Sequence, residues 1–404
     1  MRGGMTGLSS RVAQTELAAT FAMAARARAL RAQGHDVISL SLGEPDFPTP
    51  PHVIEAAHAA ALQGETKYPP IAGTEALKSA IRRKYARDQK LDVAEQNILV
   101  SNGGKQAIFN VVMSLIDPGD EVIIPAPAWA GYEQTVQFAG GVTVFVPCPQ
   151  AQGFVLRPEA LEAAITPRTR LLVLNYPGNP SGAACDAAAL GAIAEVLRRH
   201  PRIWVLADDI YEHLLFDGFA YACLAAIAPD LAERIVTLTG VSKSYAMTGW
   251  RIGFCAGPAK LIKAMTVVQA TATSGVSSIG QAAAAAALDG PQGFLAERAA
   301  TYQSRRDLVV AALNQIPGIE CHTPNGAFYV FPDISGLIGK RTPGNAVISS
   351  DTDFAMALLN EAYVGTVQGA AFAMSPHIRI STATEAAVLE RACTRIAEFC
   401  AALR

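Results

Sequence analysis

Lys243 and Arg251 stand eight residues apart in Ser242-Lys243-Ser244-Tyr245-Ala246-Met247-Thr248-Gly249-Trp250-Arg251-Ile252-Gly253, just after an apolar run, Arg234 to Thr239, that reads as a strand. An amine that is to form a Schiff base must lose its proton, and a poorly hydrated pocket favours that over an open surface. A nearby arginine suits a phosphate, because its planar fork gives two parallel hydrogen bonds. Lysine and arginine are therefore the two handles for an aldehyde that also carries a phosphate. The spacing by itself equally fits a solvated loop lysine and a surface ion-pair arginine, since both residue types are mostly exposed.

Three further motifs bear on that choice. Ser101-Asn102-Gly103-Gly104-Lys105-Gln106 opens a helical pattern at Ala107. Its glycines let backbone amides approach an anion, and a helix start adds partial positive charge. It is not a nucleotide-binding P-loop, because the G-x4-G-K-[ST] spacing is absent. Leu206-Ala207-Asp208-Asp209-Ile210-Tyr211 sets an acid at the end of an apolar strand. Such a carboxylate either caps a helix or pairs with a protonated pyridine nitrogen, and that pairing turns the ring into an electron sink. Tyr211 is placed to donate to the ring's phenolic oxygen. Asn175-Tyr176-Pro177-Gly178-Asn179-Pro180-Ser181-Gly182 is a rigid turn whose Asn179 suits the same oxygen, or is simply a Pro/Gly turn.

The elements that must position these groups follow from periodicity. Ile98–Ser101, Glu121–Pro125, Val142–Val146, Arg170–Asn175, Ile203–Ala207 and Ile235–Thr239 read as strands. Ala107–Ile116 and Asp186–Arg199 read as amphipathic helices between them. This alternation predicts an α/β fold with a mostly parallel central sheet covered on both faces. Ligands of such sheets bind outside the carboxyl ends of the strands, which is where Asn179, Asp208 and Lys243 fall. Beyond about residue 300 the pattern changes to a long helix (Phe294–Leu313), short strands (Ala327–Phe331, His377–Ser381) and a terminal helix (Thr384–Leu403), with a turn-rich loop at Lys340–Asp351. The predicted division is a large domain over 48–299 and a smaller α+β domain built from 1–47 and 300–404.

Composition narrows the function classes. Charged residues are 17% of the 404 and hydrophobic ones 50%, against roughly 25% charged in an average soluble domain. So little charge points to a sizeable subunit interface. A net charge of −2 gives no footprint for nucleic acid or an anionic membrane. No apolar run reaches the roughly 20 residues of a membrane span. Seven scattered cysteines without a C-x-x-C pair fit a reducing cytoplasm, and the seven histidines form no metal-binding pattern. Met1–Arg11 lacks a secretory apolar core; the arginine-rich stretch to Arg31 leaves a transit peptide as the alternative, although it runs straight into a strand at Asp36–Leu42.

Taken in order, these motifs resemble those of the class I aminotransferases, fold-type I enzymes dependent on pyridoxal 5'-phosphate, and in particular the bacterial aspartate aminotransferases. The likeness runs from Leu40-Ser41-Leu42-Gly43-Glu44-Pro45-Asp46-Phe47 to Ile378-Arg379-Ile380-Ser381. The resemblance implies that Lys243 carries the cofactor covalently and moves the proton, with Ser242 beside it in the cofactor site. It implies that Asp208 pairs with the pyridine nitrogen, and that Tyr211 and Asn179 hold the ring oxygen. Gly103, Gly104, Lys105 and Arg251 are implied to receive the phosphate, and Trp129 to stack on the ring. Gly43, Arg379, Asn179 and Trp129 are implied to hold the substrate, with Lys105 at a distal carboxylate. Tyr68 resembles a residue that reaches the phosphate of a neighbouring subunit, which implies a homodimer with shared sites.

Three positions depart from the family pattern: Thr382 where tyrosine is usual, Asp209 where glutamate is usual, and Glu16 where related enzymes often carry lysine. The expected reaction is transfer of an amino group from an L-amino acid, aspartate or glutamate, to a 2-oxo acid such as 2-oxoglutarate. Glu16 keeps neutral or aromatic amino acids open, and a lyase of the same fold remains an alternative. A non-catalytic cofactor sensor would need a DNA-binding domain, for which no basic N-terminal segment of suitable length is present. A nucleotide-binding module through Gly103-Gly104-Lys105 has only that turn in its favour.

Overall fold

The structure is a computed structural model that describes residues 9–13 and 19–404; Glu16 lies outside the described residues. A two-residue strand, β1 (Ile38–Ser39), is followed by the strands of the main sheet: β2 (Ile98–Asn102), β3 (Glu121–Ala126), β4 (Val142–Pro147), β5 (Thr169–Leu174), β6 (Trp204–Asp208), β7 (Ile235–Gly240) and β8 (Ile252–Ala256). Their spatial order is β2-β8-β7-β6-β5-β3-β4. From β4 to β7 every pairing is parallel, whereas β8 runs antiparallel to both its neighbours, β7 and β2. The inner strands are apolar on both faces because helices cover both: every residue of β7 and β8 is buried, while β4 at the edge is largely open.

Six of these strands stand within a residue or two of where periodicity puts them. The seventh, β8, is concealed in the tail of the Lys243–Arg251 motif, where Gly253 interrupts its apolar run. The reason for that glycine is tertiary. A Cβ there would overlap the backbone of Gly103 and Gly104, so its absence lets the start of the helix Gly104–Leu115 settle on the sheet. The second amphipathic helix spans Ala187–Arg199, and the Asp186 side chain accepts from the Ala189 amide at 2.8 Å to cap it.

The chain's two ends meet in a second group of elements. Strands β9 (Tyr329–Val330), β11 (Val367–Gln368) and β12 (Ile378–Ser381) form an antiparallel sheet, and β1 pairs in parallel with β10 (Val364–Gly365). Ile38 and Leu40 share one apolar core with Val309 and Leu313 of the helix Gly293–Leu313 and with Leu389 and Ile396 of the helix Ala386–Ala401. In the turn-rich segment 340–351, Thr342 and Ile348 are buried between exposed flanks. A helix the pattern did not reveal, Asp351–Glu361, starts there, capped by Ser350 on the Asp353 amide. Among the described residues no helix is long and apolar enough to cross a membrane, and no cluster of His, Cys, Asp or Glu could hold a metal.

Candidate active site

The carboxyl ends of β5, β6 and β7 and the start of the helix after β2 open on one cavity of about 420 Å³. Asp208, the last residue of β6, is buried there. Its Oδ2 accepts the Tyr132 hydroxyl at 2.7 Å, its Oδ1 accepts the Ile210 amide at 3.2 Å, and its carbonyl accepts Asn175 Nδ2 at 2.8 Å. Burial pushes the Asp208 carboxyl up to about 6, against the hydrogen bonds from Tyr132 and Ile210 and the positive Lys243, which favour the anion. A buried carboxylate held in this way awaits a cation.

Lys243 follows β7, and its Nζ donates to the Gly43 carbonyl at 2.6 Å. Burial, and then the charge of Arg379, bring its amine down to about 8. An amine so tuned keeps an appreciable neutral, nucleophilic fraction near pH 7. Because β8 runs backwards through the sheet, Arg251, just ahead of it, returns to the edge where Lys243 sits. Arg251 adopts a left-handed backbone (φ 59°) and donates to the Thr248 carbonyl at 2.8 Å and to the Asn102 carbonyl at 3.3 Å. It has no carboxylate partner among the described residues. Gly103 (φ +77°) lies against its guanidinium, where a Cβ would press on Nη2, and no side chain caps the helix that begins at Gly104. Bare amides at a helix start and a guanidinium without a carboxylate partner make an anion cup.

Across the cavity lies Arg379 of β12, 3% exposed. Its Nη1 donates to Asn179 Oδ1 at 2.9 Å and its Nη2 to the Ser41 carbonyl at 2.5 Å, while Nε has no partner. The guanidinium lies 4.8 Å from the Tyr329 ring centroid and 4.9 Å from that of Phe372. Burial lowers its pKa from the usual arginine value, yet a guanidinium does not lose its charge in a protein. A desolvated cation with no carboxylate beside it is a site for an anion.

Gly43, Gly104, Lys105, Trp129, Asn179, Asp208, Tyr211, Ser242, Lys243, Arg251 and Arg379 all line this cavity. Gly103 does not line it and lies against the Arg251 guanidinium. Tyr68 does not line it; it stands 96% exposed on the surface of the single chain. Lys105 is exposed, its ammonium 5.4 Å from the Trp129 ring centroid. Asp209 is buried away from the cavity, accepting the Tyr221 hydroxyl at 2.5 Å, and Thr382 is buried likewise. Sequence reasoning did not single out Tyr132, Asn175, Tyr329 or the pair in which Thr248 donates to Glu44. For Tyr132 a signal existed: it lies one helical turn from Trp129, although only the fold aims it at Asp208.

The residues fit pyridoxal phosphate on their own evidence. They offer a nucleophilic amine for the aldehyde, a buried carboxyl for the ring nitrogen and, for the phosphate, an uncapped helix start with an arginine that has no carboxylate partner. A sheet edge equipped in this way defines an α/β enzyme of cofactor-assisted amino-group chemistry. The chain belongs to the aminotransferase class I and II family, whose model matches residues 35–396.

Its relatives are similar along nearly the whole chain. It is 51% identical over 97% of its length, and 96% of the relative's, to the aspartate aminotransferase of Rhizobium meliloti (strain 1021). It is 50% identical over 99% of its length, and all of the relative's, to the aspartate/prephenate aminotransferase of Cereibacter sphaeroides. A crystal structure of the Rhizobium meliloti aspartate aminotransferase superimposes with a TM-score of 0.97 at 50% identity, covering 99% of this chain and 100% of that one. The Thermus thermophilus enzyme with maleate gives 0.91 at 41% identity, covering 98% and 100%. The protein is accordingly an aminotransferase of fold-type I that uses pyridoxal phosphate to move an amino group from an amino acid to a 2-oxo acid.

Proposed function

We propose that this cavity transaminates dicarboxylic amino acids, aspartate or glutamate, with 2-oxoglutarate or oxaloacetate as acceptor. The observation that carries the reading is the buried, carboxylate-free guanidinium of Arg379 in the same cavity as Lys243 and Asp208. A bidentate grip on the α-carboxylate fixes the Cα–H bond relative to the cofactor ring. Pyridoxal phosphate supplies an aldehyde for the amino group and a ring that withdraws the electrons left when Cα loses its proton. Lys243 would hold it covalently, and its amine is the group that would carry the proton at Cα. Asp208, held by Tyr132, would keep the ring nitrogen charged, Tyr211 and Asn179 would address the ring oxygen, and Trp129 would stack on the ring. Gly103, Gly104, Lys105 and Arg251 take the phosphate.

The dicarboxylate preference rests on Lys105, an exposed cation beside Trp129 at the cavity wall, and on relatives named for aspartate. The Thermus thermophilus structure is described with maleate, itself a dicarboxylate. Purified protein should be assayed with aspartate, glutamate, alanine and phenylalanine against 2-oxoglutarate, with prephenate as a further acceptor because the Cereibacter relative is named for it. Lys105→Ala should raise the KM for aspartate about tenfold and leave alanine nearly unchanged, as for a contact to one substrate's charge. A parent enzyme that prefers alanine or phenylalanine overturns the dicarboxylate reading.

We also propose a cytoplasmic homodimer whose subunits share sites through Tyr68. In support, Tyr68, the residue that resembles one reaching a neighbouring subunit's phosphate, is 96% exposed on the single chain and lies outside its own cavity. All seven cysteines are buried and free, as in a reducing compartment. The division into 48–299 and a unit of 1–47 with 300–404 is supported by the common core of Ile38 and Leu40 with residues beyond Val309. A monomer in sedimentation would end the dimer proposal.

A further inference from the structure

We infer that Tyr329 is a positioning residue for Tyr211: its hydroxyl donates to the Tyr211 oxygen and thereby reserves the Tyr211 proton for the cofactor's ring oxygen. The two hydroxyl oxygens are 2.9 Å apart, both residues are buried, and both line the cavity. Proton counting gives the direction. Each phenol has one proton, and burial holds both pKa values above the ordinary tyrosine range. Neither hydroxyl has another hydrogen-bond partner among the described residues. On the other side of Tyr329 Oη lies Gly43, where a Cβ would overlap it, and the only hydroxyl partner of Tyr329 among the described residues is Tyr211. If Tyr211 donated to Tyr329, the Tyr329 proton would have nowhere to go and the ring oxygen would lose its donor. With Tyr329 donating, both protons are used. A hydroxyl that accepts one hydrogen bond donates a stronger one, so the ring oxygen is held better as an anion.

Tyr329 has a second contact that makes the placement firm. Its ring faces the Arg379 guanidinium at 4.8 Å, and its strand β9 pairs with β12, with Ser381 opposite Tyr329. One residue therefore spans the α-carboxylate side and the ring-oxygen side of the cavity. The same docking of β9 that sets Arg379 also sets the donor strength of Tyr211.

The inference rests on Tyr211 addressing the ring oxygen, and two single variants separate the two claims. The readout is the pH midpoint of the bound cofactor's absorbance change in the holoenzyme, which a purely structural role would not move. Tyr211→Phe should raise the midpoint, because an oxygen anion without its donor holds the shared proton more tightly. Tyr329→Phe should raise it too, by about 0.5 pH unit, a fraction of one hydrogen bond. The double variant should match Tyr211→Phe alone. If Tyr211→Phe leaves the midpoint in place, the ring-oxygen assignment itself fails. If Tyr211→Phe moves it and Tyr329→Phe does not, or lowers it, Tyr329 is not the donor and the inference is overturned. A Tyr329→Phe chain that cannot retain the cofactor overturns it as well, since the removed oxygen is assigned tuning and not retention.

Discussion

The cavity has two walls of different construction. The sheet wall is made where strands end: Asp208 closes β6, Lys243 follows β7, and Arg251 leads into β8. Its strands pair with neighbours along four or more residues and are buried except at Trp204, the first residue of β6. The facing wall is made of Gly43, Tyr329 and Arg379, carried by loop and by strands two to four residues long. Its contacts cross great sequence distances: the hydrogen bond from Arg379 to the Ser41 carbonyl spans 338 positions, and that to Asn179 spans 200. A rigid sheet edge suits a group that stays bound, and a wall docked from elsewhere suits one that must come and go. In the proposed reading the first wall serves the cofactor and the second the substrate.

That comparison predicts that substitutions on the sheet wall remove chemistry and that loss of Arg379 on the docked wall removes binding. Lys243→Ala should cost the most: loss of the covalent absorbance band and about a 10⁶-fold fall in turnover, because attachment and proton transfer share one amine. In the cofactor-free parent, the rate of pyridoxal phosphate attachment should climb with pH through a midpoint of about 8, set by the lowered Lys243 amine, which is neutral and nucleophilic above it. A midpoint near 10.5, the ordinary lysine value, would show that burial does not tune this amine. Asp208→Ala should come next, keeping the band while slowing kcat by about 10⁴-fold, close to 5.5 kcal/mol of transition-state stabilisation. A loss within tenfold would mean that another group serves the ring nitrogen.

On the docked wall, Arg379→Lys should raise the amino-acid KM about 100-fold, because a point charge cannot replace the planar fork. Its cofactor absorbance should stay near that of the parent, and kcat at saturation should fall by less than the KM rises. If instead the band shifts as much as the KM does, the two walls are not separable and the contrast between them is broken.

Periodicity and short motifs determined the sheet wall. Strands buried on both faces read as apolar runs, and a polar residue just past such a run marks the functional edge, so Asp208 and Lys243 were legible as soon as β6 and β7 were. Motifs carry no record of strand direction, however. Only the fold showed that β8 exists and runs backwards, which is why a lysine and an arginine eight residues apart reach one cavity. Glycine at 253 interrupts the apolar run that would have marked β8, and in the fold it is the clearance for the helix start at Gly104. The partners Tyr132 and Tyr329 were beyond reach for the same reason. Whether a tyrosine is core filler or a donor depends on what stands across from it, and Asp208 lies 76 residues from Tyr132 and Tyr211 lies 118 from Tyr329. Chemistry that is local along the chain is written in the sequence; chemistry that depends on packing two distant segments at hydrogen-bond distance is decided by the tertiary structure.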